Sequence, residues 1–197
     1  IRAKRTVSAN GVRVVPGVSP GEREADARLG PLRFTAIDTA GLEDVRDESL
    51  EARMRAQTEQ AVDDADAVLM VIDGRDGVTP LDRHFAAWLR RRQRPVVLVV
   101  NKCEGRAGLS AQGEAYALGL GDPVAISAEH GEGMAELYDA LATAIGEQPP
   151  EAEPEGEEGE AEEGEDRPEQ PISIAFVGRP NVGKSTLFNR LVGQKLA

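Results

Sequence analysis

The chain has 197 residues, of which 40% are hydrophobic, and its formal net charge is −12. This length suffices for one good hydrophobic core and the start of a second, and no apolar run approaches the ~20 residues that a helix needs to span a bilayer. The composition therefore predicts a soluble globular protein and excludes a membrane-spanning one.

The negative charge is concentrated in residues 147–170. That segment holds eleven Glu and one Asp against a single basic residue, Arg167, and so accounts for −11 of the total. It is rich in Gly and Pro and has no aromatic or β-branched residue, so it cannot bury enough apolar surface to offset its ordering entropy. We expect a disordered acidic linker. An acidic protein is also not expected to bind DNA directly, because such binding depends on Lys and Arg that neutralise phosphates.

The N-terminal residues and the cysteine content both bear on location. Residues 1–5 are basic, but no apolar segment follows them, so a secretory signal is not expected. The lone Cys103 can form no intrachain disulfide and suits a reducing compartment. Together these features predict a cytoplasmic protein.

Short apolar runs rich in β-branched residues alternate with helical patterns along the chain. We predict strands at 33–38, 67–73, 95–101, 124–127 and 172–177, and helices at 50–64, 81–92, 111–119, 134–145 and 184–191. The first four runs each end in a polar residue, and runs of this kind are typical of buried parallel strands. Their alternation with helices predicts an α/β fold in which a mostly parallel sheet is flanked by helices.

Residues 178–185 match the phosphate-binding pattern G-x-x-x-x-G-K-[ST], with a predicted strand before it and a helix after it. Glycines let successive backbone N–H groups point at the phosphates, and the helix N-terminus adds positive potential. We expect Lys184 to bridge the β and γ phosphates and Ser185 to ligate Mg²⁺. The ligand is therefore predicted to be a nucleoside triphosphate. Its other contacts in this loop are predicted to be Gly178, Asn181, Val182, Gly183 and Thr186.

The strand at 33–38 ends in the tetrapeptide Asp38-Thr-Ala-Gly41. From a strand end, the Asp38 carboxylate can hold Mg²⁺ through water, and the Gly41 N–H can sense the γ phosphate. The D-x-x-G pattern is weak by itself, and an ordinary turn is as good an interpretation.

Two further strand ends favour guanine as the base. In Asn101-Lys102-Cys-Glu104, an acidic side chain can accept both N–H donors on the Watson–Crick edge of guanine, whereas adenine would leave it unpaired. Ser127-Ala128-Glu129 follows another strand and matches a short loop whose backbone meets the guanine carbonyl. Open α/β sheets bind ligands at the carboxyl ends of their strands, so the three turns together predict one guanine-nucleotide site.

Residues 38–44, 47–54, 77–82, 101–105 and 127–134 resemble the first G domain of the Der (EngA) family of bacterial double-G-domain GTPases, and the likeness covers about 22–146. The resemblance implies a Ras-like P-loop GTPase fold that uses GTP, GDP and Mg²⁺. It also implies two G domains joined by a linker, a KH-like domain after them, and a role in assembling the large ribosomal subunit.

The same resemblance bears on catalysis. Leu42 stands where Ras-like enzymes keep a water-positioning glutamine, so another group must supply that help. Relatives carry a phosphate-loop asparagine that helps to hold K⁺, and Asn181 occupies that position. Lys184, Asn181 and Gly41 are therefore the candidate catalytic residues, and hydrolysis stimulated by K⁺ is a hypothesis.

The chain departs from the family pattern at its start and end. Residues 1–15 contain no phosphate loop, and residues 16–21 resemble the Pro-Gly-Val-Thr segment of switch I, with Ser19 in place of threonine. Ser19 keeps a hydroxyl that could reach Mg²⁺. No segment of these 197 residues resembles the KH-like domain.

Two accounts of this arrangement stay open. The chain is either an internal fragment, with most of one G domain in residues 1–146 and the start of a second in 171–197, or a permuted domain. In a permuted domain the tail docks as the missing central strand, within one chain or between two, and residues 147–170 have a flexible reach of about 25–30 Å.

The alternative to a GTPase is a non-hydrolysing fragment or interaction module with an incomplete site. A kinase ranks third, because the guanine-reading tetrapeptide disfavours it.

Overall fold

The computed structural model describes residues 6–7, 12–14, 23–39, 58–104, 106–146 and 172–193. Within these ranges, eight strands form one sheet in the order β1-β2-β3-β4-β8-β5-β6-β7. The strands are β1 (Thr6–Val7), β2 (Val12–Val14), β3 (Arg23–Leu29), β4 (Leu32–Asp38), β5 (Ala67–Asp73), β6 (Val96–Asn101), β7 (Val124–Ala125) and β8 (Ser173–Val177). The helices are α1 (helical at 58–64), α2 (Pro80–Leu89), α3 (Arg106–Ala115), α4 (Met134–Ile145) and α5 (Lys184–Val192), with a 3₁₀ turn at Tyr116–Leu118.

The C-terminal strand β8 lies in the centre of the sheet. It pairs in parallel with β4 on one side and with β5 on the other. The Phe176 ring is fully buried and meets the ring of Phe188 on α5 edge-on, with 6.0 Å between the centroids. This is the place in the sheet that a docked tail requires.

Helices cover both faces of the sheet, which explains why the parallel strands β5, β6 and β8 are apolar along nearly their whole length. One face packs against α4 and α5 through residues such as Leu141 and Phe188. The other packs against α1, α2 and α3 through residues such as Val62 and Phe85. Burial of each such large side chain stabilises the fold by about 1.5–3 kcal/mol. The predicted α/β architecture, a mostly parallel sheet with flanking helices, is confirmed.

The antiparallel edge of the sheet was not predicted. Strand β3 pairs along its whole length with β4, and Gly30, at φ +58°, forms part of the turn between them. In β3 the buried side chains Ala25, Ala27 and Leu29 alternate with more exposed charged ones. Two of these buried residues are alanines, which have a weak strand preference, so the strand signal in this segment is weak.

Several predicted boundaries of helices and strands were wrong by two or more residues. Helix α3 begins at Arg106 rather than 111, and α2 ends at Leu89 rather than 92. The strand predicted at 124–127 is assigned over Val124–Ala125, although the Ile126 N–H still donates to the Val100 carbonyl at 2.8 Å. Residues 50–57 of the first predicted helix lie outside the described residues. Among the described helices, none has the length and apolar content that crossing a membrane requires.

Candidate nucleotide-binding site

The phosphate loop joins β8 to α5 and needs its glycines. Gly178 has φ +152°, and a Cβ there would lie 2.3 Å from the Val71 carbonyl oxygen. Gly183 has φ +93°, and a Cβ there would lie 2.2 Å from the Asn101 side-chain nitrogen. Between them, Asn181 adopts the left-handed conformation at φ +63°, which asparagine tolerates better than most residues. The backbone therefore makes the tight curl that cradling a phosphate requires.

The Lys184 side chain lies inside this loop and binds its backbone carbonyls. The residue is 6% exposed, and its Nζ donates to the carbonyl oxygens of Gly178 at 2.8 Å and Arg179 at 2.9 Å. Burial lowers the pKa of Lys184 to about 8, and the negative charge of Asp38 acts in the opposite direction. An ammonium group has three N–H donors. Lys184 can therefore donate to a phosphate oxygen in addition to these two carbonyls, or in place of one of them.

The two described residues predicted to bind Mg²⁺ are in contact. The Ser185 hydroxyl donates to Asp38 Oδ2 at 2.9 Å, although 147 positions separate the two residues. They meet because β4, which ends at Asp38, is the parallel neighbour of β8. Hydroxyl and carboxylate oxygens are the hard ligands that Mg²⁺ prefers, so this donor set fits the ion. Ser19 and Gly41, the other candidates in this region, lie outside the described residues.

Asn101 joins the phosphate loop to the loop at 127–129, which the sequence predicts to meet the base and which is called the base loop below. Its side chain is buried, and Nδ2 donates to the Val182 carbonyl at 2.8 Å while Oδ1 accepts the Ala128 N–H at 2.9 Å. Lys102 adds a second link, donating to the Asn181 carbonyl at 2.7 Å and to Asp73 Oδ2 at 2.5 Å. The turn at 101–104 and the phosphate loop therefore touch directly.

The predicted base acceptor, Glu104, is held by two donors. The Ser127 hydroxyl donates to Oε1 at 2.9 Å, and Arg75 forms an ion pair with Oε2 at 2.7 Å. The hydrogen bonds from Arg75 and Ser127 lower the pKa of Glu104 below its ordinary value. The carboxylate is therefore ionised at neutral pH, as a group that accepts two N–H donors must be.

Helix α5 also contacts the base loop. Arg190 Nη2 donates to the Glu129 carbonyl at 2.6 Å, and its Nε donates to the Ala128 carbonyl. Thr186 is exposed on the first turn of the same helix. Of the sequence-predicted residues, the structure thus brings together the phosphate loop, Asp38, the turn at 101–104 and the loop at 127–129.

Three residues of this site were not predicted from the sequence, namely Asp73, Arg75 and Arg190. Asp73 ends β5 as Asp38 ends β4, so its position at a strand end was a usable signal. Arg75 contacts Glu104, which lies 29 positions away in the chain, and Arg190 contacts Glu129, which lies 61 positions away. No local sequence pattern reveals contacts at such separations.

A sequence profile described as 50S ribosome-binding GTPase matches residues 6–102 and 173–197. The chain belongs to this GTPase family. It is also 56% identical over 179 residues to proteins named GTPase Der from Azorhizobium caulinodans and Rhodopseudomonas palustris strain HaA2, matching 91% of this chain and 39% of each relative. A protein of that name from Jannaschia sp. strain CCS1 is 56% identical over 185 residues, which is 91% of this chain and 38% of the relative. The resemblance to the Der family and the Ras-like P-loop GTPase fold are thereby confirmed.

The chain spans about two fifths of the length of these relatives. A solved structure described as a probable GTP-binding protein engB covers 58% of this chain and 78% of that chain, with 19% identity and a TM-score of 0.48.

Proposed function

We propose that this chain binds guanine nucleotides and hydrolyses GTP with Mg²⁺. The observation that carries the proposal is the double contact of Asn101, with the Val182 carbonyl of the phosphate loop and the Ala128 N–H of the base loop. A nucleotide has its base and its phosphates at opposite ends, so a site for it needs two such loops fixed relative to each other.

We further infer that residues 171–197 complete one G domain with residues 1–146 of the same chain. Without β8, the facing edges of β4 and β5 would lose their hydrogen-bonding partner, and buried backbone groups left unpaired are costly. Exchange of the tail between two chains, and a tail that begins a second domain, are the competing arrangements.

Mixing two inactive variants distinguishes exchange from docking within one chain. Lys184→Met damages the phosphate side and Glu104→Gln the base side, so a heterodimer with exchanged tails would regain one intact site. Docking within one chain predicts that the mixture binds no more GDP than the separate variants do. Recovery of binding on mixing would establish exchange.

The residues present divide the chemistry among them. We assign base discrimination to Glu104 and the loop at 127–129, and phosphate binding to the backbone of 178–185 and the Lys184 ammonium. When bound, Mg²⁺ neutralises charge on the β and γ phosphate oxygens, and Ser185 and Asp38 are the described residues that would hold it. Lys184 stabilises negative charge on the same oxygens, which is the main requirement of phosphoryl transfer.

Asn181 is our candidate for holding K⁺ near the phosphates. It is exposed, and its left-handed backbone lies next to Val182 at the turn of the loop. We expect faster GTP hydrolysis in potassium chloride than in sodium chloride, and an Asn181→Ala variant should lose the difference. Equal rates in the two salts for the unmodified chain would reject the role. Gly41, which we expect to sense the γ phosphate, lies outside the described residues.

The family description supports a further proposal, that the partner is the large ribosomal subunit. The cytoplasmic location predicted from the sequence agrees with that partner and stays a prediction. Co-sedimentation with purified large subunits, with a non-hydrolysable GTP analogue against GDP, tests the partner. We expect more chain in the pellet with the analogue, and equal amounts would contradict a nucleotide-controlled interaction.

Hydrolysis is tested by phosphate release from GTP under single-turnover conditions. We expect release that requires Mg²⁺ and is lost in Lys184→Met. Tight GTP binding without release would favour the alternative, a guanine-nucleotide-dependent interaction module that does not hydrolyse.

A further inference from the structure

Arg190 connects the helix that follows the phosphate loop to the loop that is proposed to read the base. It lies on α5, six positions after Lys184, and its guanidinium donates to two successive carbonyls, those of Ala128 and Glu129. A guanidinium is planar and rigid, so two bonds from one fork fix the orientation of both acceptors.

The base loop is shaped to receive this side chain. A Cβ on Gly131 would lie 2.5 Å from Arg190 Nη1, so any other residue there would displace the guanidinium. Gly131 also has φ +80°, and its N–H donates to the Ser127 carbonyl at 2.7 Å, which closes a tight turn beneath the arginine. Glycine at position 131 thus leaves room for the guanidinium that makes these bonds.

The loop is held from the opposite side as well. The Ala128 N–H donates to Asn101 Oδ1, while the Ala128 carbonyl accepts from Arg190. The peptide groups on both sides of Ala128 are therefore fixed by elements that also hold the phosphate loop: Asn101 contacts it, and α5 continues from it.

We propose that Arg190 is a positioning residue for guanine recognition, which orients the backbone of residues 127–129 toward the carbonyl oxygen of the base. The proposal rests on the proposed function. The role of Arg190 assigns one part of base specificity, recognition of the guanine carbonyl, to a residue of the C-terminal helix. Glu104, which Arg75 and Ser127 hold in place, provides the other part of base specificity by accepting the N–H donors of guanine.

Two modified nucleotides separate these parts. In 6-thioguanosine diphosphate a weaker sulfur acceptor replaces the carbonyl oxygen, and inosine diphosphate lacks the 2-amino donor. For the unmodified chain we expect each to bind on the order of tenfold more weakly than GDP, the usual worth of one hydrogen bond at a binding site.

In Arg190→Ala we expect the preference for GDP over 6-thioguanosine diphosphate to fall to about twofold, because the loop no longer meets the carbonyl oxygen in a fixed orientation. The preference for GDP over inosine diphosphate should stay unchanged, because Glu104 is untouched. Arg190→Lys keeps the charge but not the fork and should give an intermediate value. Arg91→Ala, which removes an exposed arginine at the end of α2, is the control and should change neither ratio.

The outcomes separate this proposal from the one it rests on. If the unmodified chain binds no GDP, the proposed function fails. If it binds GDP and Arg190→Ala lowers both preferences together, Arg190 has a general structural role and the inference fails while the function stands. Unchanged preferences in both Arg190→Ala and Arg190→Lys would also overturn the inference.

Discussion

Ser185 and Asp38 lie 147 positions apart in the chain, and the hydroxyl of the first donates to the carboxylate of the second at 2.9 Å. One comes from the first turn of the C-terminal helix and the other from the end of a strand near the N-terminus. Their contact follows from the central place of β8 in the sheet. It brings the two described candidates for Mg²⁺ to the edge where the phosphate loop also lies.

The buried Lys184 should give the nucleotide-free protein a distinctive pH dependence. Burial lowers its pKa from 10.5 to about 8, so between these pH values the unfolded chain holds a proton that the folded chain has released. Stability rises with pH wherever the unfolded state binds more protons. The contribution of Lys184 to the free energy of unfolding should therefore increase from pH 8 to 10.5.

Urea denaturation of the unmodified chain and of Lys184→Met across this range tests the expectation. The difference in unfolding free energy, unmodified minus variant, should grow as the pH rises, because all other titrating groups are shared. A difference that does not change with pH would show that Lys184 is not desolvated.

Replacement of Asn101 should affect stability and nucleotide binding together. Asn101→Ala leaves the buried Ala128 N–H without its acceptor, which costs about 1–3 kcal/mol, and frees the two loops from each other. We expect GDP affinity to fall on the order of tenfold or more. Gln112→Ala, which removes one hydrogen bond to the Pro123 carbonyl, is the matched control. Calorimetry should show normal GDP binding for the control, and equal losses in the two variants would contradict the role of Asn101.

The lowered pKa of Glu104 predicts an effect of Arg75 on binding at acid pH. In the proposed site the ionised form of Glu104 accepts the N–H donors of guanine, and the hydrogen bond from Arg75 is the largest cause of its low pKa. In Arg75→Ala that pKa rises, so GDP binding should weaken at a higher pH than in the unmodified chain. GDP titrations between pH 4.5 and 7 measure the shift. Identical profiles would show that the ion pair does not control the base acceptor.

Gly183 and Gly193 form a matched pair of positions for testing how closely the phosphate loop approaches the Asn101 side chain. Both have positive φ, +93° and +71°, but a Cβ at Gly183 would clash with the Asn101 side chain, whereas at Gly193 no atom lies within 4 Å. Alanine at either position strains the backbone by about 1–3 kcal/mol. Both variants should therefore be less stable than the unmodified chain. In addition, we expect Gly183→Ala to lose GDP binding, whereas Gly193→Ala should retain it. Retention of binding by both variants would mean that the loop does not close against Asn101.

Patterns confined to short windows identified most of the segments that meet at the candidate site. The strand ends at Asp38, Asn101 and Ser127 were identifiable because buried strands are apolar and stop at polar residues. The phosphate loop was identifiable because its glycines serve positive φ and close backbone approach, which other residues cannot serve.

What the sequence could not show depends on contacts between distant segments. The position of β8 was left open between several arrangements, because apolar strands of similar composition do not specify their neighbours. Arg190 and Arg75 gave no sequence signal, because each is defined by the carbonyl or carboxylate it meets in the fold. Strand β3 was missed because its small buried alanines weaken the alternation that marks a half-buried strand.

We propose that the turns at 101–104 and 127–129 and the phosphate loop at 178–185 form one guanine-nucleotide pocket. The most direct measurement is a calorimetric titration of the full chain with GDP, with the molar mass determined on the same sample by light scattering. We expect one GDP per monomeric chain, with a dissociation constant on the order of 1 μM or tighter, about −8 kcal/mol, and much weaker binding of ADP. Absence of GDP binding by the monomer, or equal binding of GDP and ADP, would contradict it.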